Sequence, residues 1–254
     1  MSRFIVALLT ASLASFAAAE SVEVSFKAAD GVQVFGDVYA SPRGAREPVI
    51  LLFHQAGSDA RGEYTVIAER LQKNAYNVIA IDQRSGGDRF GGVNRTMAGL
   101  ENKEIGYCEA YPDLVAALTF AREHGFYGRL AVWGSSYSAG LVFKLAAENS
   151  EQINAVLGFS PASGGPMVAC SLSDYLDKVK APVLALRPKR EMEIDSVRKQ
   201  KADFEMAGMQ TYVADPGVHG SSMLNPVRSG GSTEAAWTVV LEFLDTNLRG
   251  DNPL

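Results

Sequence analysis

Residues 134–138 have the residue types of a serine nucleophile held on a tight turn. They read Gly-Ser-Ser-Tyr-Ser, follow an apolar run at 130–133 that predicts a buried strand, and precede a helical pattern. A nucleophile at such a strand-to-helix turn sits in strained backbone geometry, so the residues two before and two after it must be small. Gly134 and Ser138 satisfy this requirement around Ser136. We therefore predict Ser136 as the nucleophile.

Two neighbouring serines are the alternatives to Ser136. A nucleophile at Ser135 would require small residues where Trp133 and Tyr137 stand. Ser138 has small residues at both required positions, but it would place the turn deeper in the predicted helix. Ser138 also stands where a second glycine is usual, a departure that steric reasoning tolerates.

A serine hydroxyl is a weak nucleophile and needs a neighbouring base. The chain has three histidines, His54, His124 and His219. When the nucleophile lies on a strand-to-helix turn of this type, the chain order is serine, acid, histidine. Only His219 follows Ser136, in a loop after the last predicted strand. His219 is therefore the predicted base.

The acid that orients the imidazole is expected after the apolar run 182–186, which predicts another buried strand. Glu191 stands about five residues beyond that run, where the orienting carboxylate normally lies. Glu193 and Asp195 compete with it, and all three could instead be charges at a helix N-terminus. We predict Glu191, which would fix the imidazole tautomer and stabilise the imidazolium.

Backbone N–H groups that stabilise an oxyanion are expected from two places. One is the loop 53–58 after a buried strand, and the other is the residue that follows the nucleophile. The predicted donors are Gln55 and Tyr137. His54 is interpreted as a structural residue that anchors the first loop.

The elements that must position these residues can be predicted from apolar patterns. Residues 22–26 and 32–38 alternate around Asp30-Gly31, which is typical of a β-hairpin. Strands are predicted at 48–53, 77–81, 130–133, 155–159, 182–186 and 210–214, and helices near 67–71 and at 113–124, 141–148, 193–206 and 234–248. This alternation indicates an α/β fold with a mostly parallel central sheet, an N-terminal antiparallel hairpin and helices on both faces. The interval 160–181 leaves no space for a large lid.

Composition excludes some classes of partner. Hydrophobic residues make up 47% of the 254 residues, charged residues 21%, and the formal net charge is −5, which is ordinary for a globular protein without nucleic-acid binding. The long, Gly-rich stretch 84–111 is expected to line the site. Its Arg84, Arg89 and Arg95 would favour an acidic acyl group or, in the preferred interpretation, carry ordinary surface charge.

The N-terminus has the pattern of a secretory signal peptide. Arg3 precedes an apolar run at 4–13, and small residues end at Ala19, so residues 1–19 are the predicted signal peptide and 20–254 one domain. The apolar run is too short for a membrane span. We expect a secreted or periplasmic protein, in which Cys108 and Cys170 form a disulfide or remain separate thiols.

These motifs together resemble the α/β-hydrolase superfamily. The residues that carry the resemblance are Phe53-His54-Gln55-Ala56-Gly57, Gly134-Ser135-Ser136-Tyr137-Ser138 and His219-Gly220-Ser221. Without a lid, the chain is most similar to the dienelactone-hydrolase-like branch. The resemblance implies hydrolysis through an acyl-enzyme, with no metal and no cofactor. Enzymes for which the branch is named use a cysteine nucleophile, so a dienelactone substrate does not carry over to Ser136.

The function expected from these residues is hydrolysis of a carboxylic ester of a small substrate by Ser136, His219 and Glu191. A peptidase or amidase that uses the same triad is the alternative. A non-catalytic binding protein on a hydrolase scaffold is a third reading, which the complete serine–acid–histidine order disfavours.

Overall fold

The computed structural model describes residues 21–250, in which eight strands form one sheet. The strands are β1 Val22–Lys27, β2 Gln33–Tyr39, β3 Val49–Phe53, β4 Asn77–Asp82, β5 Leu130–Ser135, β6 Ala155–Phe159, β7 Val183–Pro188 and β8 Gln210–Ala214. Their spatial order is β1-β2-β4-β3-β5-β6-β7-β8. The hairpin β1–β2 is antiparallel and also pairs antiparallel with β4, whereas β3 to β8 run parallel.

Helices cover both faces of the sheet. They are α1 Ala60–Lys73, α2 Arg95–Ala98, α3 Tyr111–Glu123, α4 Tyr137–Glu148, α5 Asp195–Met206, α6 Pro226–Ser229 and α7 Glu234–Leu248. Side chains of α3, α4 and α5 form one core with alternate strand residues such as Leu51 and Val132. Side chains of α1 and α7 form the other with Leu52 and Trp133. The central strands are therefore buried on both faces, which explains their continuous apolar runs.

The topology determines where a site can form. From β3 the chain moves to β4 on one side, and from β5 onward it builds the sheet on the other side. In open parallel sheets, ligands bind outside the carboxyl ends of the strands where the direction of winding reverses. Here that position lies beyond Phe53 of β3 and Ser135 of β5, which end side by side.

The predicted fold class is confirmed, with shifts at some boundaries. The hairpin turn, β8 and α7 lie where the patterns predicted them. Helix α4 begins at Tyr137 rather than at residue 141, so it starts directly after Ser136. The stretch between β4 and α3 is not a bare loop, since it contains α2 and a 3₁₀ helix at Tyr107–Ala110. Between β6 and β7 lie two short 3₁₀ helices, Gly165–Cys170 and Leu172–Asp174, and no lid domain.

Two predictions concern the N-terminus and membrane association. The predicted signal peptide, residues 1–19, lies outside the described residues. Within residues 21–250, none of the helices combines the length and apolar character needed to cross a membrane.

Candidate active site

Ser136 occupies a strained turn between β5 and α4. Its backbone angles are φ 60° and ψ −118°, in the left-handed half of conformational space that a non-glycine residue adopts only under constraint. The constraint comes from the backbone of neighbouring segments: the Ser136 N–H donates to the Phe159 carbonyl at 2.8 Å, and the Ser136 carbonyl accepts from the N–H groups of Ala139 and Ala162. Ser136 as a residue is half-buried.

The small residues around Ser136 have distinct physical reasons. A Cβ on Gly134 would lie 2.4 Å from the Ser138 carbonyl oxygen, so only glycine fits there. Ser138 is fully buried, and its hydroxyl donates to the His54 carbonyl at 2.6 Å while it accepts from the Gln83 side-chain amide. Ser138 therefore ties the nucleophile turn to the loop after β3, and its burial argues against the alternative nucleophile.

Glu191 and His219 are brought together by the loops after β7 and β8. Glu191 Oε1 lies 2.5 Å from His219 Nδ1, and its other oxygen accepts from Arg187 Nη1 at 2.7 Å. The Glu191 side chain is 14% exposed and that of His219 is 51% exposed. Both competing acids are exposed, and Asp195 is paired with Arg198 on its own helix. Of the three predicted acids, the structure therefore joins Glu191 to the imidazole.

Arg187 is a site residue that sequence reasoning missed. Burial raises the pKa of Glu191, but the hydrogen bonds and charges of His219 and Arg187 outweigh burial and bring that pKa below its ordinary value. Burial likewise lowers the pKa of Arg187, which Glu191 partly offsets. The guanidinium also donates to the Pro161 carbonyl and the Gln200 side chain. The sequence feature that could have identified Arg187 is its position near the end of β7, four residues before Glu191.

The histidine loop is fixed against both strands that flank the nucleophile turn. The Ser221 N–H donates to Ser135 Oγ at 2.9 Å, and the Gly220 N–H donates to Ser160 Oγ at 3.0 Å. Ser135 directly precedes Ser136, and Ser160 directly follows β6. These bonds lie one and two residues beyond His219. The backbone after the predicted base is thus held beside the nucleophile turn, whereas within residues 21–250 no hydrogen bond joins the Ser136 hydroxyl to the His219 ring.

The structure corrects one predicted oxyanion donor. The Gln55 N–H donates to Glu63 Oε2 at 2.7 Å, so it is already used inside the protein. The next peptide unit differs: the Gln55 carbonyl accepts from His54 Nδ1 at 2.8 Å and from the Ser58 N–H at 3.2 Å. In a trans peptide the carbonyl and the N–H point in opposite directions. The Ala56 N–H therefore points away from these donors, and among the described residues it has no acceptor.

Tyr137 remains a suitable second donor. It is the first residue of α4, where backbone N–H groups have no partner within the helix. The candidate oxyanion hole therefore consists of the N–H groups of Ala56 and Tyr137. His54 is fully buried, and its Nε2 lies 3.1 Å from the Asn94 side-chain nitrogen, so it acts within the loop as a structural residue.

The three arginines of the stretch 84–111 do not behave alike, although the sequence led us to expect either three substrate-facing charges or three ordinary surface charges. Arg84 is buried and pairs with Asp113 at 2.6 Å and with Asp30 at 2.5 Å. Arg95 makes ion pairs with the buried carboxylates of the sheet, including Asp37 at 2.7 Å. These two arginines are therefore paired with carboxylates and hold the loop in place, rather than being free surface charges. Arg89 is exposed and donates to the Ala56 carbonyl at 3.2 Å.

Of the two arrangements left open by the sequence, Cys108 and Cys170 form the disulfide, with Cα atoms 5.6 Å apart. The bond links the 3₁₀ helix at Tyr107–Ala110 to the one at Gly165–Cys170. Tyr107 stacks on Tyr137, with ring centroids 4.7 Å apart. The disulfide therefore fixes two loops that border the nucleophile helix.

A cavity of about 500 Å³ opens beside His219. It is lined by the acid and histidine loops, with Ile194 and Val218 as apolar residues and Arg190 and Glu193 as charged ones. In the described part of the chain, no group of three or more His, Cys, Asp or Glu side chains is arranged to hold a metal ion.

The strand order and the serine on a strained strand-to-helix turn define a hydrolase of the α/β-hydrolase fold. The sequence profile of the dienelactone hydrolase family matches residues 35–247, and the chain belongs to that family. Comparison with curated proteins gives no match.

Solved structures show the same fold at low sequence identity. An esterase from Pyrococcus furiosus is 19% identical with a TM-score of 0.67, over 90% of this chain and 92% of that one. An α/β-hydrolase from a Penicillium species is 15% identical with a TM-score of 0.67, over 91% and 100%. The acylaminoacyl peptidase of Pyrococcus horikoshii is 16% identical with a TM-score of 0.67, over 92% of this chain but 43% of that protein. These likenesses concern the fold.

Proposed function

We propose that this hydrolase is a serine esterase that cleaves a carboxylic ester of a small substrate. Ser136 would be the nucleophile, His219 the base and Glu191 the orienting acid. The observation that carries the proposal is the left-handed backbone of Ser136 directly before α4. A serine held in that conformation presents its hydroxyl at the carboxyl edge of the sheet, where an acyl group can approach.

In the proposed reaction, His219 Nε2 takes the Ser136 proton as the oxygen attacks the acyl carbon. Glu191 accepts from Nδ1–H at 2.5 Å, which keeps Nε2 available as the base and stabilises the imidazolium. The N–H groups of Ala56 and Tyr137 would stabilise the oxyanion. His219 then protonates the leaving alcohol, and water attacks the acyl-enzyme with the same base.

The choice of an ester rests on the nucleophile and on one structural neighbour. Ser136 stands where enzymes for which the family is named use a cysteine, so the lactone substrate is not transferred to this chain. The esterase of Pyrococcus furiosus shares the fold over 90% of this chain. A small substrate fits a site without a lid domain.

Peptide or amide cleavage is the second candidate. The fold likeness to an acylaminoacyl peptidase favours it, although that protein is more than twice as long as its matched part. The two candidates differ in the leaving group, an alcohol or an amine. Release of an amine from acylated peptides, with weak turnover of esters, would favour the second candidate.

The test is turnover of nitrophenyl acetate by the wild type and by Ser136→Ala. We expect the substitution to reduce turnover to the residual level of a protein without a nucleophile. Ser196→Ala, an exposed serine at the start of α5, is the matched control and should retain wild-type turnover. Full activity of Ser136→Ala would overturn the proposal.

We further propose that residues 1–19 are removed on export and that residues 20–254 act as one domain outside the cytoplasm. The disulfide supports this proposal because such bonds persist in oxidising compartments. The intact mass of the exported protein would test it: a chain that still carries residues 1–19 would contradict cleavage.

A further inference from the structure

Glu63 is a buried carboxylate that the proposed mechanism does not use. It lies in the first turn of α1, with 2% of its surface exposed. Its oxygens accept from the Gln55 N–H at 2.7 Å, the Gln55 side-chain amide at 3.1 Å and Ser135 Oγ at 2.7 Å. Among residues 21–250, no lysine, arginine or histidine nitrogen lies within 4 Å of this carboxylate. The Glu63 carboxylate is therefore stabilised by hydrogen bonds from neutral donors of Gln55 and Ser135 and not by an ion pair.

The Ser135 hydroxyl extends this contact to the histidine loop. It accepts from the Ser221 N–H at 2.9 Å, so its single proton is directed to Glu63. Ser221 is itself held by Trp133 Nε1, which donates to its hydroxyl at 2.8 Å. Glu63 is thus linked through one hydroxyl to the backbone two residues after His219.

Glu63 consequently joins three parts of the site. It fixes Gln55 next to the candidate oxyanion donor Ala56, it bonds Ser135 next to the nucleophile Ser136, and through Ser135 it reaches the histidine loop. All of its partners are donors, which suits a carboxylate. An amide at position 63 would direct its own NH₂ group towards one of these donors.

We propose that Glu63 is a positioning residue that sets the direction of the Ala56 N–H relative to Ser136. This inference rests on the proposed acyl-transfer function. The Gln55 N–H and side chain are bound to Glu63, and the Gln55 carbonyl, which belongs to the peptide that carries the Ala56 N–H, is bound to His54 and Ser58. Gln55 is therefore held on both sides of its Cα atom. Loss of the Glu63 contacts frees the N-terminal side of Gln55, so rotation about its backbone bonds moves the Ala56 N–H away from the position of the oxyanion.

The effect is expected in the transition state and not in substrate binding. Removal of a whole oxyanion donor reduces kcat about 10²- to 10³-fold. Glu63→Gln displaces a donor without deleting it, so we expect a reduction in kcat of about 10- to 100-fold. KM should change less than about twofold, because a donor aimed at the oxyanion binds the ground state weakly.

The experiment compares Glu63→Gln with Glu69→Gln, the same change on the same helix away from these contacts. Each variant is assayed for kcat and KM with nitrophenyl acetate and for binding of phenylboronic acid, which forms a tetrahedral adduct with an active serine. We expect Glu63→Gln to lose boronate affinity in parallel with kcat/KM, while Glu69→Gln matches the wild type. A folded Glu63→Gln variant with wild-type kcat and boronate affinity would overturn the inference, as would a rise in KM alone.

A second variant keeps the test valid if Glu63→Gln does not fold. Gln55→Ala removes the side-chain amide that donates to Glu63 while the Gln55 N–H remains, and it should lower kcat and boronate affinity together by a smaller factor. Unchanged values in Gln55→Ala would then overturn the inference. Failure of the proposed function gives a different result, since the wild type itself would then show no turnover that depends on Ser136.

Discussion

The nucleophile turn gives the sharpest steric prediction, the substitution Gly134→Ala. The added Cβ would lie 2.4 Å from the Ser138 carbonyl oxygen and 2.5 Å from the Ala139 nitrogen. Ordinary contact requires about 3.5 Å, so this backbone must retreat by about 1 Å. The atoms that must move belong to the backbone of Ser138 and Ala139, and Ser136 lies between them and Gly134 in the chain. A misplacement of about 1 Å reduces turnover about 100-fold, and overpacking lowers the free energy of unfolding by about 1–3 kcal/mol.

The assay is kcat with nitrophenyl acetate, together with thermal unfolding to establish that the variant is folded. Gly99→Ala is the matched control because its φ is −82° and its Cβ would meet nothing closer than 3.7 Å. We expect the control to retain wild-type kcat and Gly134→Ala to lose about two orders of magnitude. A folded Gly134→Ala variant with wild-type kcat would refute the steric reasoning about Ser136.

Three further predictions concern the acid and the disulfide. Glu191→Gln should lower kcat by about 10⁴-fold through the wrong imidazole tautomer, and a loss below tenfold in steady-state assays would argue against Glu191 as the acid. The bonds of Glu191 to His219 and Arg187 lower its pKa in the folded protein despite burial. The ionised carboxylate therefore stabilises the fold fully above the unfolded pKa of about 4.3, and this stabilisation is lost as the pH falls through the pKa of the folded protein. Urea unfolding should therefore show the stability difference between wild type and Glu191→Gln shrinking below that pH, whereas a constant difference would contradict the linkage. Replacing Cys108 and Cys170 together by serine opens a loop with a sequence separation of 62 and should cost about 4 kcal/mol of unfolding free energy, and an unchanged denaturation midpoint would exclude this stabilisation.

Most of the fold could be predicted because its signals are local. Buried parallel strands read as apolar runs, and the hairpin reads as alternation around Asp30-Gly31. The start of α4 was placed too late, since Tyr137 and Ser138 interrupt the apolar helical pattern, yet both are buried against the loops after β3 and β4. Tertiary contacts there outweigh local propensity.

The oxyanion loop was the part that sequence could not resolve. The chain order indicates that one oxyanion donor lies in the loop after β3. Whether that donor is the N–H of Gln55 or of Ala56 depends on which of the two already donates to an acceptor within the protein. That acceptor is Glu63, on the following helix. The sequence does contain evidence that Glu63 is buried, because it lies on the same helix face as the apolar residues Ile67 and Leu71. A charged residue on that face needs a buried hydrogen-bond partner.

Labelling of the nucleophile tests the central claim most directly. The folded wild-type protein is treated with a fluorophosphonate, digested and mapped by mass spectrometry. The account predicts a single adduct on Ser136, which disappears in Ser136→Ala. An adduct on another residue such as Ser138, or no adduct on a folded protein that hydrolyses esters, would contradict it.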